Sequence, residues 1–291
     1  MTDPVRIGSR ASPLALAQAS SVATALRTAA PDREVSVVPL RTAGDRSRRS
    51  SGGLDFTGAL EVALRDGRID LAVHSAKDLP SADPPDLPVL AYPARADPRD
   101  CVVASRWPLP SGALLATSSL RRRAQWLRLR PDLRIVPIRG NVDTRIAQVA
   151  SGRVDAVVLA RAGLLRLRRA DAAVAVLPIL SHLPSPAQGI LAVQGRRGDR
   201  EIARLARTVD DPAARVAAVA EREVARALGA NCDVALGAWA RLRDGRLRLD
   251  VEWLSEDGRL RRRARGTADP RSARRLARSL ARRLRLPGET P

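Results

Sequence analysis

Residues 64–74 read LRDGRIDLAVH and residues 149–159 read VASGRVDAVVL. In both, a helix end runs through Gly and Arg into an aliphatic residue, an Asp and a strand. A helix that turns straight into a strand is half of an α/β unit, so the repeat predicts two related α/β lobes. The flanks agree. Ahead of the first copy stand strand VRIG (5–8), helix LALAQASSVATALRTAA (14–30), strand EVSVVPL (34–40), the breaker-rich loop RTAGDRSRRSSGGLD (41–55) and helix TGALEVALRDG (57–67). Ser12 suits the N-cap of the first helix and Pro13 its first turn. Ahead of the second copy stand strand ALLAT (113–117), helix SSLRRRAQWLRL (118–129), strand LRIVPI (133–138) and helix VDTRIAQVASG (142–152). Two such lobes facing each other make a cleft, with ligands at strand C-termini and helix N-termini.

The remainder predicts a small α+β domain. Helix AARVAAVAEREVARALG (213–229) is followed by strands LGAWARL (236–242) and RLRLDVEWL (246–254). An amphipathic basic helix closes it, with Leu276, Leu280 and Leu284 at helical spacing and a cap at Asp269 or Ser272. The expected division is 1–95 with 189–208 for lobe 1, 96–188 for lobe 2 and 209–291 for the α+β domain.

Lys and Arg total 51 against 31 Asp and Glu, a net charge of +20 that favours a polyanionic partner. Interleaved aromatics and a recognisable binding motif are missing, which argues against nucleic acid. No apolar run approaches the roughly 18–20 residues that span a bilayer, and no secretory pattern opens the chain. A cytoplasmic protein with free thiols is expected, because Cys101 and Cys232 have no metal-ligand spacing. A small substrate rich in carboxylates or phosphates fits the charge best.

Its site is expected where strands meet helices. Arg10 and Ser12 stand at the first such junction, Ser118, Ser119, Arg121 and Arg122 at the matching one of lobe 2. Arg139 and Arg145 flank GNVDT, and Arg166 follows strand VDAVVLA. Helix N-termini and guanidinium groups both favour anions. Lys77, the only lysine, lies beside Asp78 at the end of the first repeat's strand. Among arginines, Asp78 is a carboxylate able to stabilise a developing cation or shuttle a proton. His74 reads as a structural hydrogen-bonding residue and Cys101 as an inert buried thiol. Cys232 follows a helix C-terminus, a place that does not activate a thiol.

In order, IGSRASPLALAQA, RTAGD, DLAVHSAKDLP, DPRD, ATSSLRRRAQ, RPDLRIVPIRGNVDTR, DAVVLARAGLLRL, LPSPAQG and LGANCDVALGA resemble the porphobilinogen deaminase (hydroxymethylbilane synthase) family. The resemblance implies two periplasmic-binding-protein-like lobes around a cleft plus a small C-terminal α+β domain. It implies a transferase of haem biosynthesis that joins four porphobilinogen molecules, with loss of ammonia, into the linear tetrapyrrole hydroxymethylbilane. The chain would grow on a dipyrromethane cofactor held by a thioether to Cys232, and the protein would be a monomer without nucleic-acid or membrane partners. Asp78 matches the catalytic aspartate. Ser12, Asp45, Lys77, Ser119, Arg121 and Arg122 match cofactor contacts. Arg10, Phe56, Arg139, Arg145, Arg166 and Gln188 match substrate contacts. Three departures stand out: GGLDF (52–56) where a Gly-Lys-Gly-Leu-Phe run is common, Ala187 where glycine is usual, and Ala235 where proline is common.

Overall fold

The computed structural model describes residues 4–40, 57–229 and 234–285. In chain order the strands are β1 (Val5–Arg10), β2 (Val35–Leu40), β3 (Leu71–Ser75), β4 (Val89–Ala91), β5 (Asp100–Ala104), β6 (Leu114–Ala116), β7 (Arg134–Val136), β8 (Ala156–Ala160), β9 (Ala175–Val176), β10 (Leu191–Gly195), β11 (Leu236–Arg243), β12 (Arg246–Leu254) and β13 (Arg261–Ala268). The helices are α1 (Pro13–Ala29), α2 (Gly58–Arg65), α3 (Leu120–Leu129), α4 (Val142–Ala150), α5 (Arg161–Arg166), α6 (Arg200–Arg207), α7 (Pro212–Ala227) and α8 (Ala273–Leu284). They fall into two compact units, Met1–Arg95 with Ile190–Arg215, and Ala96–Gly189 with Val216–Pro291.

The sheet of the first unit has the order β2-β1-β3-β10-β4. Strand β1 runs parallel to β2 and β3, whereas β10 runs antiparallel to β3 and β4. The sheet of the second unit has the order β7-β6-β8-β5-β9. There β6 is parallel to β7 and β8, and β5 is antiparallel to β8 and β9. The plan is the same: a strand with two parallel neighbours, then a reversed strand, then an edge. These are the two α/β lobes that the repeat predicts.

The repeated Asp does the same work twice. Asp70 accepts a hydrogen bond from the backbone N–H of Arg6 at 2.9 Å and donates its own N–H to the Arg6 carbonyl at 2.8 Å. Asp155 accepts from the N–H of Leu114 at 2.7 Å and donates to the Leu114 carbonyl at 3.0 Å. Each carboxylate thus ties the repeat's strand to the strand with two parallel neighbours, β1 in one lobe and β6 in the other. The helix ends match as well: Arg68 N–H donates to the Ala63 carbonyl, and Arg153 N–H to the Gln148 carbonyl, both at 3.0 Å.

Burial shows why the strands read as near-continuous apolar runs. In the second unit Cys101, Val103, Val157 and Leu159 belong to one core cluster, and Val102, Ala156 and Val158 to another. Alternate residues face opposite sides, and both sides are covered, as in a parallel sheet sandwiched by helices. The first unit repeats this, with Ile7, Leu26, Leu71 and Val193 on one side and Leu60, Leu64, Ile69 and Ala72 on the other.

The small C-terminal part of the second unit is an antiparallel sheet, β11-β12-β13, carrying α8. The sequence reading finds β11, β12 and α8 and misses β13. At the start of α8, Asp269 caps the short turn Pro270–Ser272, accepting from Arg271 N–H at 2.8 Å, and Ser272 makes no side-chain cap.

Candidate functional site

In the first unit, β1 and β3 end side by side, and the turn after each carries the polar groups. Ser12 caps α1 by accepting from Ala15 N–H at 3.3 Å, and Pro13 occupies the first turn. Beyond β3 the chain makes a single turn, Ala76–Asp78, which leaves Asp78 exposed and Lys77 half-buried. A pocket lies between these ends, lined by Arg10, Ser12, Gln18, His74, Ser75 and Asp78 among others. Gln18 Nε2 donates to Ser75 Oγ at 2.9 Å, fixing the pocket's floor.

His74 is a structural member of this wall. Its Nε2 lies 3.1 Å from Gln194 Oε1. Gln194 Nε2 already donates to the Leu87 carbonyl at 2.9 Å, so Oε1 accepts and the histidine proton is on Nε2. Burial pushes the ring down to about 4, and the imidazole is neutral at pH 7.

The second unit concentrates cations at the matching strand ends. Ser119 caps α3 and accepts from Arg122 N–H at 3.4 Å, and Asn141 caps α4 and accepts from Thr144 N–H at 2.8 Å. Arg121 and Arg122 in the first turn of α3 are buried, at 3% and 7% exposure. Both reach Asp100, at 2.9 and 2.8 Å, as does Gln188 Nε2 at 2.8 Å. Asp100 is held far below the usual carboxylate range, because these partners overcome its burial. Sequence reasoning missed Asp100 as a site residue. The available signal was a carboxylate at the head of an apolar strand in an arginine-rich chain, quoted within DPRD but given no role.

Arg145 and Arg166 are different. Arg145 donates from Nε to the Gly140 carbonyl at 2.9 Å, and Arg166 from Nη2 to the Gly189 carbonyl at 2.8 Å. Neither has a carboxylate partner among the described residues. Desolvation lowers both, with repulsion from Arg122 acting further on Arg145, and brings Arg166 down to about 10. Cations held like this favour an anionic ligand, and a carboxylate fits the guanidinium fork. Arg139 is exposed in the turn before α4. Asp45, Phe56 and Cys232 lie outside the described residues, as does the altered GGLDF loop.

The LPSPAQG segment supports Arg166. Gly189 has φ +87°, and a Cβ there would lie 2.5 Å from the Ala96 carbonyl oxygen. Two residues earlier, Ala187 has φ +60°, which explains why glycine is usual at that position. The left-handed backbone costs an alanine about 1 kcal/mol. Glu221 pins the segment by accepting from Ala187 N–H at 2.6 Å, while also accepting from Ala240 N–H at 2.6 Å. Gly189→Ala is expected to destabilise the protein by about 2–4 kcal/mol in urea unfolding and to weaken substrate binding through Arg166.

Of the two cysteines, Cys101 is fully buried in β5 and donates to the Leu159 carbonyl at 3.4 Å. Burial pushes its thiol up to about 12, so it is inert, as its place in the sequence suggests.

One α/β lobe carries a carboxylate among hydroxyls at its strand ends, and the other carries guanidinium groups at its own. The profile of the porphobilinogen deaminase dipyromethane cofactor binding domain matches residues 5–204, and that of the C-terminal domain matches 216–285. A porphobilinogen deaminase of Roseiflexus sp. (strain RS-1) is 46% identical over 270 residues, covering 89% of each chain. One of Mycobacterium avium (strain 104) is 46% identical over 263 residues, 88% of this chain and 80% of the other. One of Acidothermus cellulolyticus is 41% identical over 295 residues, 96% and 88%. The chain belongs to the porphobilinogen deaminase family, an enzyme family.

Proposed function

We propose that this enzyme joins four porphobilinogen molecules head to tail, releasing ammonia at each step and hydroxymethylbilane at the end. The observation that carries the reading is the pair Arg145 and Arg166, desolvated cations without a carboxylate among the described residues. Each porphobilinogen brings an acetate and a propionate, which are anions of the right kind. The same donor set fits a dipyrromethane, itself a polycarboxylate. When bound, that cofactor supplies the carbon to which the first substrate is joined. Cys232 is its attachment point in this reading, supported by the inertness of Cys101.

The chain's own residues divide the work. Arg10, Arg122, Arg139, Arg145 and Arg166 bind carboxylates, and Ser12 and Ser119 orient them at helix N-termini. Asp78 stabilises the positive charge that develops on the pyrrole as ammonia leaves, and it then accepts a proton. Lys77 supplies a compact ammonium where a guanidinium would crowd the site. Lys77→Arg is expected to fold normally and to lose about tenfold in kcat/KM; full activity would remove lysine's special role. Asp45, Phe56, Arg121 and Gln188 complete the assigned contacts. The reading also includes a division into 1–95 with 189–208, 96–188 and 209–291, and a cytoplasmic monomer. No described helix is long and apolar enough to cross a membrane.

The deciding experiment is the intact mass of the purified protein, with peptide mapping around Cys232. A gain of two linked pyrrole units on that cysteine, together with porphobilinogen consumption, supports the reading. A bare thiol that stays bare after incubation with porphobilinogen and its tetrapyrrole product overturns it.

A further inference from the structure

Resting on that reading, we propose that Asp100 is the positioning residue of the carboxylate site. It holds Arg121 as an internal counter-ion and aims Arg122, with Arg145, at the ligand. The two arginines are adjacent in sequence and look equivalent there, but their surroundings differ. Arg121 gives Nη2 to Asp100, and its Nη1 donates to Gln125 Oε1 at 2.9 Å and to the Leu183 carbonyl at 2.8 Å. Both Nη1 hydrogens thus have partners inside the protein, and the side chain is 4% exposed.

Arg122 gives Nη2 to Asp100 and Nη1 to the Val158 carbonyl at 2.9 Å, so neither Nη carries two bonds; its Nε, like that of Arg121, has no partner among the described residues. Each Nη bond uses one of two hydrogens, so this guanidinium keeps donors for an incoming carboxylate. It also repels Arg145, whose one hydrogen bond is to the Gly140 carbonyl. Two desolvated cations that repel each other are reconciled by an anion between them. One carboxylate cannot neutralise two guanidinium groups. Asp100 therefore leaves one net positive charge on the Arg121–Arg122 pair, which, with Arg145, is left to the ligand. Gln188, the third donor to Asp100, fixes its rotamer from the LPSPAQG side.

The test compares wild type, Asp100→Asn and Asp100→Glu as holoenzymes, with inorganic phosphate as an anion probe that needs no substrate. In Asp100→Asn the counter-charge is gone, so the pocket gains one net positive charge and Arg122 is no longer aimed. The expected result is KM for porphobilinogen raised about tenfold with a smaller change in kcat, and about tenfold tighter inhibition by phosphate. Phosphate should also raise Tm more in this variant than in wild type. Asp100→Glu keeps the charge but displaces both guanidinium groups, so KM rises while the phosphate response stays that of wild type. If either variant loses Tm with unchanged KM and unchanged phosphate response, Asp100 is only a fold element and the proposal is overturned. Should Asp100→Asn fail to fold, Asp100→Glu decides by KM alone. A wild type that consumes no porphobilinogen refutes the functional reading instead, and the phosphate comparison still tests Asp100.

Discussion

Lowering the pH from 7 to 4 should remove roughly 6 kcal/mol of folding stability through two side chains alone. The chain has two histidines, and both are buried. His74 is pushed down to about 4 by burial beside Gln194, and His182 is pushed to about 4 by burial. His182 packs against Trp126 with ring centroids 5.4 Å apart, and Ser181 Oγ lies 3.1 Å from its Nδ1. Unfolded, each imidazole takes up a proton near its ordinary value of 6.5. Folded, it does so only near 4. Between these values the unfolded chain binds more protons, so stability rises with pH and is lost as pH falls through the window. Each gap corresponds to roughly 3 kcal/mol. The total is a large share of the roughly 5–15 kcal/mol that holds a domain together.

Urea unfolding at pH 7.5, 6 and 5 measures this. His74→Gln keeps a donor where Nε2 stands, and His182→Asn keeps one where Nδ1 stands. The double variant should show a nearly flat stability between pH 7 and 5 and still fall below pH 4, where the unfolded chain protonates carboxylates that the folded chain, as at Asp100, keeps ionised. A double variant as acid-sensitive as wild type would show that the histidines are not the cause.

Cys232→Ser should abolish tetrapyrrole formation while leaving the unfolding free energy within about 1 kcal/mol of wild type. The expectation is strict because no second thiol can take its place. Cys101 is at 0% exposure within a sheet, donates its proton to a backbone carbonyl and has a thiol pushed up to about 12. An alkylating precursor has neither access to it nor a thiolate to meet. Mass spectrometry of the variant should find no adduct on either position. Residual activity above a few per cent of wild type, or an adduct on Cys101, would contradict the attachment of the cofactor at Cys232. The converse variant, Cys101→Ala, should be active but less stable by roughly 1–2 kcal/mol, the cost of a small buried cavity.

Most of the fold is legible in the sequence because the same local solution occurs twice. Gly, Arg, an aliphatic residue and Asp recur because each lobe needs a helix stop, a return and a carboxylate for the N–H of the neighbouring parallel strand. Strand β13 is not legible. RRRARGTA reads as a solvated charge run, and its alternation is hard to see because the covered face carries Arg262 followed by the small residues Ala264, Gly266 and Ala268. That face is thin for a reason: a Cβ on Gly266 would lie 2.8 Å from Leu276 Cδ1, so α8 leaves no room for larger side chains. The candidate site's arginines and caps stand at strand ends by sequence position alone. Asp100 was not legible, because its partners are 21, 22 and 88 residues away and only the folded sheet collects them.

The position of β10 fixes an order of assembly during synthesis. In the first sheet β10 lies between β3 and β4, and β4 has no other neighbour. Yet Leu191 leaves the ribosome a full lobe after Ala91. The second sheet contains no such late arrival, because its reversed strand β5 precedes its parallel ones and its edge β9 ends at Val176. The first-made lobe is therefore the later of the two α/β lobes to close its sheet. At roughly 5–20 residues per second, the nascent chain carries an open edge at β3 for about 5–20 s, while the later half completes its own hydrogen bonding.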